Sequence, residues 1–462
     1  MKATGISIII LAAGNGKRMY SDVPKVLHPF AGKPLLEHVV TTAQQLNPHQ
    51  IYIIYGTALE SFLPQLKHWK VEWVKQDKQL GTGHAVLQAI PRVADQDQVL
   101  ILYGDVPLIT TQTIHLLLNN VEKNGIGLLV TTKEDPRGFG RIIRADNSDV
   151  IEIVEDKDTD KQQYQIKEIN SGIMTAPAAY LKRWLPTLTN HNAQHEYYLT
   201  DIVAMAVKES YVVKGVTAPE AEELHGINTC AELVQLERYY QIKQAEKLLE
   251  QGVTIRDPAR FDLRGELNCG RDVIIDINTI FEGKIVIGNN CHIEPNVLLR
   301  NVTIGDHVII KANSILEDCT IEAHCSIGPF ARLRPGTHVS QHAEIGNFIE
   351  IKNSKIGSYS KVHHLGYLGD ATIGHHVNVG AGTITCNYDG QQKHQTTVGN
   401  YSFIGSGTEL VAPVTIGDKA YIGAGSTITE NVPANQLTLA RARQTTVAHW
   451  QSPVKAEKHD KK

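Results

Sequence analysis

From about Phe281 to Ile428 an aliphatic residue returns every six positions, and that period constrains the fold more than any other feature of the chain. One series runs Ile315, Ile321, Ile327, Leu333, Val339, Ile345, Ile351, and another Val398, Ile404, Leu410, Ile416, Ile422, Ile428. Shorter runs fall between them: Ile287 and Ile293, Ile304 and Ile310, Ile356, Val362 and Leu368, Ile373 and Val379. Neither a helical period nor strand alternation gives six. A hexapeptide period predicts a parallel β-helix in which each short strand sends one aliphatic side chain into a continuous interior. Glycine often follows the aliphatic residue, as at Gly288, Gly346 and Gly405, where it lets the chain turn closely. Two positions before the aliphatic the residue is usually small: Cys319, Cys325, Ala331, Thr337, Ala343, Ser402, Thr408, Ala420, Ser426. Positions two apart share a strand face, so these too should point inward.

Composition narrows the partners. The net charge of −4 brings no basic stripe of the kind nucleic acid requires. Six cysteines occur without a C-x-x-C pair; Cys291, Cys319 and Cys325 occupy the small inward position and read as core filler in a reducing compartment. The apolar run Ile6 to Ala13 after Lys2 faintly resembles an export signal. It leads directly into Gly14-Asn15-Gly16-Lys17-Arg18, however, and reads better as a buried first strand. With no segment of transmembrane length, the expectation is a cytoplasmic protein without nucleic-acid or membrane partners.

Residues 1–228 alternate aliphatic strands (Ile6–Leu11, Gln50–Tyr55, Val71–Val74, Val99–Tyr103, Gly127–Thr131) with helical patterns (Lys33–Leu46, Gly83–Ala89, Thr110–Lys123, Tyr197–Lys208). This predicts a mostly parallel sheet covered by helices, with ligands at the carboxyl ends of its strands. Residues 229–251 read as a connecting helix, 252–446 as the β-helix and 447–462 as a polar tail frayed at its end.

After the first strand, Leu11-Ala12-Ala13-Gly14-x-Gly16-x-Arg18-Met19 and Pro24-Lys25 form a loop whose small residues admit phosphate oxygens, with Arg18 and Lys25 to neutralise them. It is neither a dinucleotide fingerprint, because Met19 stands at the third glycine, nor a P-loop. Tyr103-Gly104-Asp105 places a carboxylate past a central strand, suited to a hard cation over phosphates. The whole string resembles the sugar-nucleotide pyrophosphorylases. With the helix and hexapeptide repeats following in this order, nearly the whole chain resembles the GlmU family. That family joins N-acetylglucosamine-1-phosphate uridylyltransferase to glucosamine-1-phosphate N-acetyltransferase. The resemblance implies a Rossmann-like α/β nucleotidyltransferase domain and a left-handed parallel β-helix. It implies Mg²⁺, with UTP and acetyl-CoA as co-substrates, and a role in supplying peptidoglycan and lipopolysaccharide precursors. On that resemblance the nucleotide and sugar contacts are Leu11, Ala12, Ala13, Gly14, Arg18, Lys25, Gln76, Gly81, Thr82, Tyr103, Gly104, Asp105, Gly140, Glu155, Asn170 and Asn228. The metal ligands are Asp105 and Asn228. The chain departs from the family pattern at Thr229-Cys230, where Asn and a basic residue are expected.

Between the hexads lie residues a purely structural solenoid does not need. Arg332 and Arg334 share an outward edge, His363-His364 precede Tyr367, and Gly380–Gly390 breaks the hexad phase as an inserted loop would. The pairs His363-His364 and His375-His376 lie two hexads apart and so on different faces, which argues against one metal site. Histidine suits the removal of a proton from an amine. The resemblance selects His364 as base, while alternation should turn His363 the other way. It implies sugar-phosphate contacts at Arg334, Lys352, Tyr367, Asn378, Asn387 and Tyr388, and acetyl-CoA contacts at Ala381, Asn387, Tyr388, Ser406, Ala424 and Arg441. It also implies a homotrimer. Two rival readings remain at this point: a nucleotidyltransferase whose β-helix only assembles it, and a scaffold with a degenerate head.

Overall fold

The computed structural model describes residues 5–14, 16–122, 125–146 and 148–453. The chain divides into two compact units, 1–244 and 245–462, and the division falls inside a 21-residue helix, Cys230–Glu250.

In the first unit the sheet strands in chain order are β1 (Ile6–Ala12), β2 (Gln50–Tyr55), β3 (Glu72–Lys75), β4 (Gln98–Tyr103), β5 (Ile126–Thr132), β6 (Arg141–Arg144), β7 (Val150–Val154), β8 (Glu168–Pro177) and β9 (Val213–Thr217). They lie in the order β9-β5-β8-β4-β1-β2-β3, with the hairpin β6–β7 attached to β8. All main-path neighbours are parallel except β8, which runs antiparallel to β4 and β5. Alternate residues of β1 serve two cores: Ile9 and Leu11 join one cluster, Ile8 and Ile10 the other. Both faces are therefore covered, which is why these strands read as unbroken apolar runs. The principal helices are α1 (Leu35–Gln45), α2 (Thr82–Ala89), α3 (Thr111–Asn119), α4 (Ala178–Trp184), α5 (Asp201–Lys208) and α6 (Cys230–Glu250). Three expected helices are shorter than their apolar patterns, α1 because Lys33–Pro34 is a short strand before it. Thr110 caps α3 by accepting the Thr113 N–H at 3.2 Å, and Lys123 lies outside the described residues. Residues 197–200 form turns before α5 begins at Asp201.

In the second unit 24 strands form one continuous sheet wound as a parallel β-helix. Ile310 pairs with Ile327, seventeen residues on, and Ile327 with Ile345, eighteen on. Three inward columns result, typified by Ile327, Leu333 and Val339, each fully buried. The small inward positions behave as expected: Cys319, Cys325, Ala343, Ser402 and Ser426 are all buried, and the Ser402 hydroxyl is satisfied by the Gly417 carbonyl at 2.9 Å. One member of the first hexad series is misplaced. Ile315 is 40% exposed, and its neighbour Leu316 is the residue inside. The seventeen-residue step from Leu299 to Leu316 to Leu333 shifts the inward position by one, which a strict six-residue count cannot register. Except for Gly328, at φ 94°, the glycines after the aliphatics serve close stacking rather than unusual torsions. A Cβ on Gly346 would lie 1.9 Å from the His363 carbonyl oxygen of the next coil.

The left-handed corners are occupied mostly by Asn, His, Phe and Tyr, and by other glycines such as Gly283 and Gly336. Along one corner His307, His324, His342, Tyr359, His376 and Tyr401 stack ring on ring at 4.6–5.0 Å. The phase break begins late in its expected span, 380–390, and runs beyond it. Asn378–Val379 and Ile384–Cys386 keep the coil register, while Ile373 pairs with Val398, twenty-five residues on. The excess length leaves the helix after Cys386, in a loop where Tyr388 bridges Lys393. Of the expected tail, residues 447–453 carry no strand or helix and 454–462 lie outside the described residues.

Candidate active sites

The first site gathers at the carboxyl ends of β1, β3 and β4. Gly16 adopts φ 58°, and a Cβ there would meet Lys25 Cβ at 2.7 Å, so the loop needs glycine to close. Lys25 is thereby held inward. Its ammonium pairs with the Asp105 carboxylate and donates to Asn228 Oδ1 at 3.1 Å. The Lys25 and Asp105 side chains are only 12% and 16% exposed. Residues 25, 105 and 228 thus converge on one point, and two oxygen acceptors already face one cation there. Leu11 accepts the Gly104 N–H at 2.9 Å, and Ile227 donates to the Asp105 carbonyl at 2.9 Å. These bonds tie the three segments together. Ala12 is buried, while Gly14 and Arg18 are exposed, and Arg18 has no ion pair among the described residues. Asn15 lies outside the described residues.

The nucleobase candidates lie past β3. Gly81, at φ 110°, precedes α2, and a Cβ on it would strike the Tyr197 carbonyl at 2.6 Å. Thr82 Oγ1 accepts the Leu199 N–H at 3.1 Å, and the Gln76 side chain is almost wholly buried. The sugar candidates form a second group. Asn170 donates its backbone N–H to the Gly140 carbonyl at 2.9 Å and accepts the Gly172 N–H on Oδ1 at 3.1 Å. Gly172 bulges at φ 86°, because a Cβ there would enter the Tyr103 ring. Burial raises the pKa of Glu155, whose Oε1 accepts from Thr200 at 2.9 Å. Burial likewise holds the Tyr103 hydroxyl in its protonated form.

The departure at Thr229-Cys230 has a local explanation. Thr229 Oγ1 accepts the Glu232 N–H at 3.2 Å, and the Glu232 carboxylate accepts the Thr229 N–H at 2.9 Å and the Asn228 N–H at 2.7 Å. This is a capping box at the start of α6, and it fixes Asn228. Thr229→Ala should destabilise that turn by about 1 kcal/mol. Amide hydrogen exchange at Glu232 and Leu233 should then rise about fivefold, and unchanged exchange would show the cap does not hold the turn.

The second site lies on the β-helix. His364 is exposed, and Asn347 Oδ1 stands 3.1 Å from its Nδ1. In the neutral ring an acceptor there puts the proton on Nδ1 and leaves the Nε2 lone pair free. His363 pairs instead with Glu344 at 2.9 Å. Strict alternation would turn one of the two histidines inward, and neither is. The strand bends at Leu365, at φ 41°, so both stand outside with different partners. His376 lies in the stacked corner column, remote from this pair in register. Among the described residues no cluster of three His, Cys, Asp or Glu could hold a metal.

Below Leu365 the acetyl-CoA candidates Ala381, Ser406, Ala424 and Arg441 form one column, apart from Asn387 and Tyr388. Gly382 donates to the Leu365 carbonyl, Gly407 to the Ala381 carbonyl and Gly425 to the Ser406 carbonyl, at 2.7, 2.7 and 2.8 Å. Arg441 donates to the Ala424 carbonyl at 2.6 Å. On the adjacent side Arg334 pairs with Glu350 at 2.8 Å. Lys393, and behind it Arg334, pushes the Lys352 ammonium below the ordinary lysine range. Lys393 belongs to this cationic group although sequence reasoning passed over it; its position in the phase-breaking loop was the available signal. Gly369 leaves room for Tyr367 and Asn387, whose atoms a Cβ would meet at 2.3 and 2.8 Å. Asn387 donates to Asp370 at 2.6 Å, and Tyr388 is 61% exposed. Asn378 is not brought to this group. It pairs with Lys361 and Phe403 on the side of Val362 and Val379, whereas Tyr367 lies on that of Leu368. Asn347 was also missed; its signal was the seventeen-residue register with His364.

Comparison with known proteins fits this two-part layout. The MobA-like NTP transferase domain matches residues 8–208. The bacterial transferase hexapeptide family, of six repeats, matches 286–318, 301–335 and 395–430. The chain is 54% identical over 458 residues to the bifunctional protein GlmU of Legionella pneumophila strain Philadelphia 1, covering 98% of this chain and 99% of that one. It is 50% identical over 454 residues to the same-named protein of Janthinobacterium sp. strain Marseille, covering 98% and 100%. Identity at that level, continuous through the phosphate loop, α6 and the repeats, means that the chain belongs to the bifunctional GlmU family.

Proposed function

We propose that the chain makes UDP-N-acetylglucosamine in two steps at two sites. In the β-helix unit, acetyl transfer from acetyl-CoA to glucosamine 1-phosphate begins with His364 Nε2 taking a proton from the sugar amine. The nitrogen then attacks the thioester carbonyl, the carbon–sulfur bond breaks, and a second proton from that nitrogen passes to the sulfur, so that the amide forms and coenzyme A leaves as the thiol. The observation that carries this reading is the His364–Asn347 contact, which in the neutral ring directs the Nε2 lone pair outward, on the strand whose Leu365 carbonyl heads the Ala381–Ser406–Ala424 column. Arg334, Lys352 and Lys393 suit the sugar phosphate, and Arg441 suits the cofactor phosphates.

In the first unit, a phosphate oxygen of N-acetylglucosamine 1-phosphate attacks the α-phosphorus of UTP and pyrophosphate departs. Lys25 and Arg18 offset the charge, Glu155, Asn170 and Gly140 hold the sugar, and Gln76, Gly81 and Thr82 hold the base. The paired oxygens of Asp105 and Asn228 fit a hard cation, since an ammonium already bridges that position. Mg²⁺ held there would neutralise phosphate charge. The decisive assay follows acetyl-CoA consumption with glucosamine 1-phosphate, then UDP-sugar formation on adding UTP. Failure of the first step would leave only a nucleotidyltransferase.

Two features support a homotrimer. The sugar-phosphate candidates Asn378 and Tyr367 sit on different sides of one chain, so a shared site needs a neighbouring copy. The stacked Phe330–Phe348 pair and Leu365 leave an apolar corner beside His364, at 48%, 55% and 65% exposure. Sedimentation equilibrium at micromolar concentration should give three times the chain mass; a monomer with full acetyl transfer would refute this. Among the described residues no helix is long and apolar enough to cross a membrane, and a cytoplasmic setting fits these substrates.

A further inference from the structure

Gln76 is 3% exposed, yet only one end of its amide is committed. Its Nε2 lies 3.2 Å from the Gly81 carbonyl and 2.9 Å from His84 Nδ1. A carbonyl oxygen only accepts, so the Gly81 contact requires the NH₂ end at this position. The second N–H then ends on His84 Nδ1, which must carry a lone pair. His84 is therefore neutral, with its proton on Nε2, and burial, which lowers its pKa, favours that form. Gln88 makes a competing demand. Its Nε2 donates to the His84 carbonyl at 3.0 Å and stands 3.3 Å from His84 Nε2. That ring contact is longer, and Gln88 is half-exposed on the face of α2. The Gln88 amide keeps its NH₂ end on the His84 carbonyl and offers the ring no acceptor, so the shorter contact, from Gln76 at 2.9 Å, sets the ring proton. The tautomer follows Gln76. The consequence is at the other end of the amide: Gln76 Oε1 accepts no hydrogen bond among the described residues.

We infer that His84 is a positioning residue which, with the Gly81 carbonyl, fixes the Gln76 amide so that Oε1 alone faces the nucleobase, selecting a base with a ring N–H over one with a ring lone pair. Uracil presents N3–H where cytosine presents an unprotonated N3. The inference rests on the reading that Gln76 lines the nucleobase site. A site built to pair with a substrate N–H rejects an analogue lacking it far more strongly than apolar packing does, because a buried polar group is otherwise left unpaired.

The test measures kcat and KM for UTP and for CTP in the nucleotidyl step of the full chain, with acetyl transfer followed in parallel. Gln76→Ala should abolish the UTP preference. His84→Ala should lower it about tenfold, chiefly through a raised KM for UTP, since the amide loses one of its two anchors. Acetyl transfer should be unchanged in both. His84→Asn, whose Oδ1 can stand where Nδ1 stood, should restore most of the preference. If Gln76→Ala abolishes the preference and His84→Ala does not, the role of His84 is overturned while the nucleobase reading stands. If His84→Ala lowers UTP and CTP use equally, or His84→Asn fails to rescue, His84 is merely structural. If Gln76→Ala keeps the preference, Gln76 does not face the base and both readings fall.

Discussion

Replacing Asp105 by Ala is expected to lower uridylyl transfer on the order of 10²- to 10³-fold while leaving acetyl transfer near normal. The carboxylate is paired with Lys25 and next to Asn228, and on the proposed reading it stands where polyphosphate charge develops. Without it the cation position keeps only the Asn228 amide oxygen. The reciprocal change, His364→Ala, removes the proposed base, and general acid–base terms are worth roughly 10²- to 10⁴-fold. Acetyl transfer should fall by that order, with uridylyl transfer intact. His363→Ala should cost far less, because His363 is committed to Glu344. Both half-reactions need to be measured separately on each purified variant. A folded Asp105→Ala protein lacking both activities would sink the assignment, as would His363→Ala proving the crippled histidine variant.

The second large effect is on stability. Ile327 is fully buried between Ile310 and Ile345 of the neighbouring coils. Ile327→Asp puts a carboxylate into an aliphatic column with no partner, at a cost of several kcal/mol, on the order of the net stability of a domain. The C-terminal unit should lose its thermal transition. Ile315→Asp is the matched control, because Ile315 is exposed and such surface changes usually fall within about 0.5 kcal/mol. Calorimetry on both variants separates a six-residue count from the actual coil register. Equal destabilisation of the two would show that Ile315, and not Leu316, takes the inward place.

Much of the architecture was legible because it rests on local periodicity. The columns through Ile321 and Ile404 and the small residues at Cys325 and Thr408 each repeat a rule that needs only near neighbours. The strands β1, β2 and β4 were equally plain, since sheet faces covered on both sides leave continuous apolar runs. Strand β8 was not, because Ser171-Gly172 interrupts its pattern with a bulge, and its antiparallel place between β4 and β5 depends on partners distant in the chain. The fully buried Arg141, held by Asp156 at 2.9 Å, was hidden for the same reason: an arginine reads as surface until its partner is known.

The sequence by itself determined the two chemistries and their order along the chain. The hexad dictates a solenoid, and the glycine-rich loop with Asp105 past a central strand marks the proposed nucleotide site. Only the tertiary structure decided which side chains meet. Coils of seventeen or eighteen residues put Leu316 rather than Ile315 inside and bring Asn347 under His364. The capping box at Thr229 turns Asn228 toward Lys25, and Gly81 and His84 orient the Gln76 amide. Each of these depends on a hydrogen bond or a stacking register across a coil, a turn or a strand. Such contacts are set by three-dimensional closure, and no periodicity along the chain encodes them.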